Sequence, residues 1–233
     1  MKKVHHILVI LQVICLEILI PFHELKAQEN DIDSPLSVNI DFYSSYVWRG
    51  TSFSGPSVQP SISWQHHGLS IGAWASQDFA GTYKEADLSA SYSFKSGLRL
   101  GITDYYYPGL DYFDYSDTTG SHAYEINLGY DFSGLSLSAN FVLNKAGGAA
   151  STGGDTYFEL KYNFKNVNVF AGMGNGWLTV EKPGKNDKFG LVNVGGSAVK
   201  EVKINDKISI PLTGSVIWNP QAKQFFIVAG FSL

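Results

Sequence analysis

From Leu36 to the end of the chain, apolar residues alternate with small or polar ones at a period of two. That period belongs to strands whose two faces meet different surroundings. The first run sets Val38, Ile40, Phe42, Tyr46 and Trp48 against Asn39, Asp41, Tyr43, Ser45 and Arg49. Later runs repeat it, as with Leu88, Ala90, Tyr92 and Phe94 against Asp87, Ser89, Ser91 and Ser93. Twelve such runs are predicted, over 37–49, 57–66, 69–78, 85–95, 98–107, 121–132, 135–144, 155–164, 167–177, 189–203, 207–218 and 223–233. No amphipathic helical stretch interrupts them.

The connections carry a second rhythm. Every other one is short: His66-His67-Gly68, Ser96-Gly97, Ser133-Gly134, Lys165-Asn166 and Asn205-Asp206. Gly, Asn and Asp supply the positive φ that tight hairpins need. Most of the connections between them are longer, across 50–56, 79–84, 108–120, 145–154 and 178–188, with a short last one at 219–222. Short turns at one end and long loops at the other are the plan of an outer-membrane barrel. The predicted fold is therefore all-β: one transmembrane antiparallel β-barrel of about twelve strands, spanning 37–233, with the last strand closing on the first because lipid tolerates no open edge.

Alternation alone leaves open whether the apolar face lines the inside or meets lipid. Two features point to lipid. The polar face is mostly Ser, Asn, Gly and acids, a usable wet lumen but a poor soluble exterior. Aromatics also gather at the ends of the apolar face: Trp64, Tyr92, Phe94, Tyr130, Phe132, Tyr162, Phe164 and Phe231 towards the short turns, and Trp48, Tyr106, Tyr124, Trp177, Trp218 and Phe225 towards the long loops. Two aromatic girdles around an aliphatic band match the two membrane interfaces. A few residues break the parity: Asp104 on the lipid side, assigned to the interface or to a bulge, and Val142, Phe170 and Phe226 on the lumen side.

The first 27 residues read as a secretory signal, with Lys2 and Lys3, an apolar stretch from Ile7 to Phe22, and Ala27 at the cut. Residues 28–36 would form a periplasmic segment. The single Cys, Cys15, lies in the leader, so the mature chain would carry no disulfide. A net charge of −4 without a long basic run argues against a nucleic-acid partner. The expected location is the bacterial outer membrane. Its lipid, and the barrel-assembly machinery during insertion, are the expected partners.

The lumen parity holds Asp41, Arg49, Asp78, Glu85, Asp87, Arg99, Glu125, Asp131, Glu159 and Lys161, the candidate pore-lining charges. Acids outnumber bases, so a pore would favour cations. Arg49, at the outer end of the first run, is either a constriction charge or one half of an ion pair with a lumen acid such as Asp41 or with a residue on the neighbouring second or twelfth strand. Among His66, His67 and His122, only His122 lies at the outer rim, and Ser121 beside it points to the opposite face. Asp111, Asp114 and Asp117 in the longest loop match no calcium-loop spacing and read as a solvated acidic loop. No metal, cofactor or catalytic residue is expected.

The run Ser44-Ser45-Tyr46-Val47-Trp48-Arg49-Gly50, followed by Ser52, Gln59, Gly68, Gly72 and Trp74-Ala75-Ser76, resembles the TorF-type porin family, an uncharacterised bacterial domain with an S-x-Y-x-x-R-G-x-S pattern. The resemblance covers residues 37–78 and implies an outer-membrane barrel of porin type. The chain departs from the usual terminal Phe in ending on Leu233, with Phe231 two residues earlier. The expected function is passive passage of small solutes or ions. The alternatives are a closed barrel that displays loops 108–120 and 178–188 for binding, or an enzyme acting on outer-membrane lipid.

Overall fold

The computed structural model describes residues 35–179, 188–206 and 208–233. The expected leader, the periplasmic segment up to residue 34 and most of loop 178–188 lie outside them. Twelve antiparallel strands form one closed barrel. They are β1 (Leu36–Tyr43), β4 (Ser57–His66), β5 (Leu69–Asp78), β6 (Lys84–Ser93), β7 (Leu98–Tyr106), β8 (His122–Phe132), β9 (Leu135–Val142), β12 (Thr156–Phe164), β13 (Val167–Gly174), β14 (Gly190–Lys203), β15 (Ser209–Asn219) and β16 (Gln224–Ser232). Two small hairpins stand outside the ladder: β2 (Tyr46–Trp48) with β3 (Thr51–Ser54), and β10 (Lys145–Ala146) with β11 (Ser151–Thr152). A 3-10 turn covers Gly176–Leu178.

Each barrel strand pairs with its neighbours in sequence, and β1 closes the ring by pairing with both β4 and β16. At the seam Asp41 faces Ser232 and Phe42 faces Phe231. Ile40 and Leu233 exchange both backbone hydrogen bonds at 3.0 Å. The Phe42 and Phe231 rings stack across the seam, 4.8 Å between centroids. The short turns work as the residue types demand: His67-Gly68 and Ser133-Gly134 hold φ of +48°, +88°, +48° and +85°, the left-handed pairs that suit two-residue hairpins.

The two faces of the wall differ as the alternation predicts. Val38, Ile62, Ile71, Leu88, Leu100, Ile126, Leu137, Phe158 and Leu160 point outward and stay exposed. Every buried apolar residue of a barrel strand points inward: Tyr105, Ala123, Val142, Tyr157, Val192, Ile217 and Val228. The hydrophobic core is thus a small one inside the barrel, towards the long-loop end, where Tyr105, Ala123 and Val142 meet Ala146 and Ala149 of the β10–β11 loop. Val142, one of the parity breakers, belongs to that core.

Two expectations about the strands are corrected. The first run does not continue to 49; β1 ends at Tyr43, and residues 46–54 turn back as the β2–β3 hairpin. Arg49 and Gly50 at its tip hold φ of +48° and +77°, which no strand continues through. Nor is there a bulge at Asp104, because β6, β7 and β8 pair without a register shift. Asp104 does face outward. The bulge sits in β14 instead, where Asn193 pairs with Gly172 and Leu191 with Met173, leaving Val192 between them. Val192 and Asn193 are both buried, consecutive residues turned to the same side, as a bulge allows.

The seam register is testable because the described residues contain no cysteine. In an Asp41→Cys/Ser232→Cys variant, mild oxidation should link the first and last strands within one chain, read by mass spectrometry of the linked peptides. Moving one partner to Phe231 should abolish the link, because adjacent residues point to opposite faces.

Candidate functional site

The long-loop half of the lumen is filled from within. The β2–β3 hairpin folds into the barrel, and its tip residue Arg49 crosses to β8. Its two terminal nitrogens donate to both oxygens of Glu125, at 2.6 and 2.9 Å. The pair is removed from solvent: the Glu125 side chain is 1% exposed and that of Arg49 12%. The guanidinium lies 4.2 Å from the Trp48 ring centroid and 4.5 Å from that of Tyr157, a planar cation held between aromatic faces.

Several interactions position the tip. Asn219, buried at the end of β15, donates to the Gly50 carbonyl at 3.0 Å. A Cβ on Gly50 would run into the Val192 carbonyl that the β14 bulge presents. Ser45 donates to the Ser54 carbonyl at 2.9 Å and ties the base of the hairpin. Tyr46 packs against Phe53, Trp74 and Tyr83, with ring centroids 5.4, 5.4 and 5.9 Å away. Trp48 sits edge-on to Tyr105 at 5.6 Å.

Glu125 is the hub of a wider network. It accepts from the Tyr105 hydroxyl at 2.9 Å and from Asn127 at 2.6 Å. Asn127 in turn donates to Asn140 and accepts from Thr103. Beside it, Asn193 donates to the Tyr157 hydroxyl and to Glu159, and Tyr157 donates to Glu159. Tyr157 lies across Gly172, where any Cβ would overlap its ring. Such a network favours one arrangement, because most of its buried polar groups have a partner; the Asn193 Oδ1 is the exception.

The short-turn half of the lumen is different. Ser89, Ser91, Arg99, Gly101, Thr103 and Asn127 border an open space of about 220 Å³. Gln65, His66, His67, Ser70, Ser91, Ser93 and Arg99 border another of about 440 Å³ at the mouth. Small hydroxyl side chains and glycine leave room that the aromatics occupy higher up.

All the candidate lumen charges project inward, but their surroundings separate them. Arg49 pairs not with Asp41 or a residue of a neighbouring strand but with Glu125 on the far wall, because the hairpin carries it across the lumen, and the two form the plug contact. Glu159 lies 3.7 Å from Lys161, and Arg99 3.8 Å from Asp131, the latter pair half exposed and weakly coupled. Asp41 accepts from Asn39 and from Ser232 at the seam. Asp78 accepts the backbone N–H groups of Thr82 and Tyr83 and the Thr82 hydroxyl, so it organises the 79–83 loop. Glu85 accepts from Tyr83 at 2.8 Å, and Asp87 has one oxygen buried without a partner.

Of the expected girdle residues, Trp64, Tyr92, Phe94, Tyr130, Phe132, Tyr162, Phe164, Trp218, Phe225 and Phe231 are exposed on the outer surface, and Tyr106 and Tyr124 lie half-buried beside His122. Two are not there. Trp48 lies inside with the hairpin, and Trp177 packs inside against Tyr105, its indole N–H donating to the Ala150 carbonyl. Both sit in segments that leave the strand and fold inward, so strand parity does not apply to them. Tyr105 and Tyr157 were missed as plug residues. Their signal was present: large aromatics on the small, polar parity near the long-loop end.

On the outside of the barrel, His122 and Asp104 meet at 2.9 and 3.0 Å from Nδ1, while Nε2 lies 2.7 Å from the Tyr112 carbonyl. A carboxylate and a carbonyl both only accept, so holding both contacts requires the doubly protonated imidazolium. Tyr106 and Tyr115 stack on either side, each 5.1 Å away. Loop 107–121 is thereby clasped down over the outer rim. Ser121 turns its hydroxyl to the carbonyls of Asp111 and Asp114, away from the imidazole. Within the loop, donation from Thr119 and Ser116 holds the Asp114 carboxyl below the usual carboxylate range. No cluster of three metal-ligating side chains occurs among the described residues.

Two outcomes follow. Arg49→Ala leaves Glu125 buried and uncompensated, and should lower stability by ~3–5 kcal/mol. Arg49→Ala combined with Glu125→Gln should recover part of that loss in denaturant titration. His122→Leu should expose loop 108–120 to a broad-specificity protease while the barrel stays intact; equal resistance would mean that the clasp does not hold the loop.

A family model described as "Bacterial protein of unknown function (Gcw_chp)" matches residues 27–209. No curated protein matches the chain. Among solved structures it is similar to a mutant of the Rh. blastica porin, at 11% sequence identity and a TM-score of 0.40, over 86% of this chain and 73% of that one.

Proposed function

The chain belongs to the bacterial Gcw_chp family, and we propose that it is an outer-membrane barrel that passes small polar solutes or ions through a lumen gated by the β2–β3 hairpin. The observation that carries this reading is the division of the lumen. A hydroxyl-lined, open short-turn half ends on an inward-folded segment whose tip carries a buried ion pair. A barrel serving only as a scaffold would have no use for an open half.

The outer surface supports the membrane setting. Apolar side chains are exposed around the whole wall, far more than a soluble monomer leaves uncovered. The strands run from 8 to 14 residues, and a tilted spanning strand needs about 9–11. The lipid of that membrane is the partner of the apolar band and its aromatic ends. Twelve strands enclose more room than an eight-stranded barrel, whose side chains fill it, and less than a wide porin. The plug therefore decides whether the path conducts.

The three ends of the gate name its parts. Arg49 and Glu125 form the latch, Asn219 and the β14 bulge seat the tip, and Tyr46 with its aromatic neighbours anchors the base. Opening the latch exposes a lumen whose charged residues are mostly acidic, so cations are the favoured traffic.

Planar-bilayer recording on the refolded protein tests this, with folding confirmed by heat-modifiable gel migration. The native protein should show rare or small conductance steps, and Arg49→Ala larger and more frequent ones with cation preference. A folded, inserted Arg49→Ala barrel that never conducts would overturn the gated-pore reading in favour of a closed barrel displaying its loops.

A further inference from the structure

The lumen charges balance on one side of the barrel only. Across β7, β8 and β12, Arg99 faces Asp131, Lys161 faces Glu159, and Arg49 reaches Glu125. On β5 and β6, Asp78, Glu85 and Asp87 share a face, and among the described residues no ion pair reaches any of them. Asp78 is satisfied by its loop donors. Glu85, buried, accepts from the Tyr83 hydroxyl at 2.8 Å, and the hydroxyls of Tyr46 and Tyr107 lie beside it. Phenol donors solvate that carboxylate but bring no positive charge. Of the carboxylates that act on Asp87, Glu85 has no cationic partner among the described residues, whereas Glu125 and Asp104 are paired with Arg49 and His122.

Two buried oxygens here have no partner. Ser76, 2% exposed, sits directly across the β5–β6 ladder from Glu85, and its hydroxyl is unbonded. Asp87, two residues along the same face, has an unbonded carboxylate oxygen. Buried polar atoms are normally satisfied, so two unbonded oxygens on one face point to an absent partner. Both can accept, and the surrounding charge is negative, so that partner is a cation. Aromatic faces stand beside them, with Tyr46 and Trp74 5.4 Å apart, and such faces favour a weakly hydrated monovalent ion. The same strand face continues as Ser89, Ser91 and Ser93 to the short-turn mouth, an approach lined with hydroxyls.

We propose that Ser76, Glu85 and Asp87 form a lumenal binding site for a monovalent cation, an alkali ion or an ammonium group, at the inner edge of the plug. The proposal deepens the gated-pore reading, and rests on it for the route by which the cation arrives. The bound ion would supply the charge that the acidic side of the lumen lacks.

The test is thermal unfolding of the detergent-folded full chain, followed by tryptophan fluorescence, in chloride salts of potassium, ammonium, choline and N-methylglucamine at equal ionic strength. Potassium or ammonium should raise the melting temperature saturably over N-methylglucamine. Asp87→Asn should abolish the difference, and Ser76→Ala should shift its midpoint to higher salt. A response to choline as well would assign the site to organic ammonium groups, and its absence to small ions. Equal melting temperatures in all four salts for the native protein would overturn the site, as would an unchanged salt response in both variants. Should Asp87→Asn fail to fold, Ser76→Ala decides. Cation-dependent stabilisation without conductance in Arg49→Ala would keep the site and sink the pore; conductance without that stabilisation would do the reverse.

Discussion

Everything in this molecule depends on the sheet closing. A strand that pairs on both sides has no unsatisfied backbone edge along its paired length, and the ring of twelve strands closes where β1 pairs with β16. Once the backbone is satisfied within the sheet, the outward side chains need make no polar contact. The wall can then be apolar outside and polar inside, the reverse of a soluble domain. The seam where Ile40 and Leu233 exchange hydrogen bonds is the narrowest part of that arrangement, because β1 and β16 overlap in register over three residues.

Closure creates an interior, and the interior is then divided by side-chain size. Near the short turns the inward positions are Ser and Gly, which leave space. Near the long loops they are Tyr105, Tyr157, Glu125 and Asn193, which fill it around Arg49. A buried bidentate ion pair adds little net stability over a hydrophobic pair, but it fixes one geometry. That suits a plug, whose position matters more than its binding energy. The bulge in β14 serves the same end, since it turns the Val192 carbonyl towards the one residue type, Gly50, that leaves room for it.

The outer rim shows a related use of charge. Asp104 breaks the apolar parity of β7, and a lone carboxylate there would face the apolar surroundings of the outer wall. His122 across the ladder and the Tyr112 carbonyl above it enclose the charge instead, and three tyrosines cover the imidazole. The loop is shaped by the need to cover that pair, which explains why the longest loop is rich in tyrosine.

What the sequence determined by itself was local and periodic. Alternation set the twelve strands and their two faces, and Gly and other turn residues set which connections are tight, because both follow from backbone geometry within a few residues. The inward direction of Asp41, Glu85, Asp87, Arg99, Glu125, Glu159 and Lys161 came with parity. What only the tertiary structure decided were contacts across the ring. Arg49 and Glu125 are 76 residues apart, and nothing local tells a chain leaving β1 to turn inward instead of outward. Trp48 and Trp177 left the expected girdle for the same reason: parity holds only where a residue is in a strand. The unbonded oxygens of Ser76 and Asp87 were also invisible, since they depend on which neighbours the closed barrel brings near and which it keeps on the far wall.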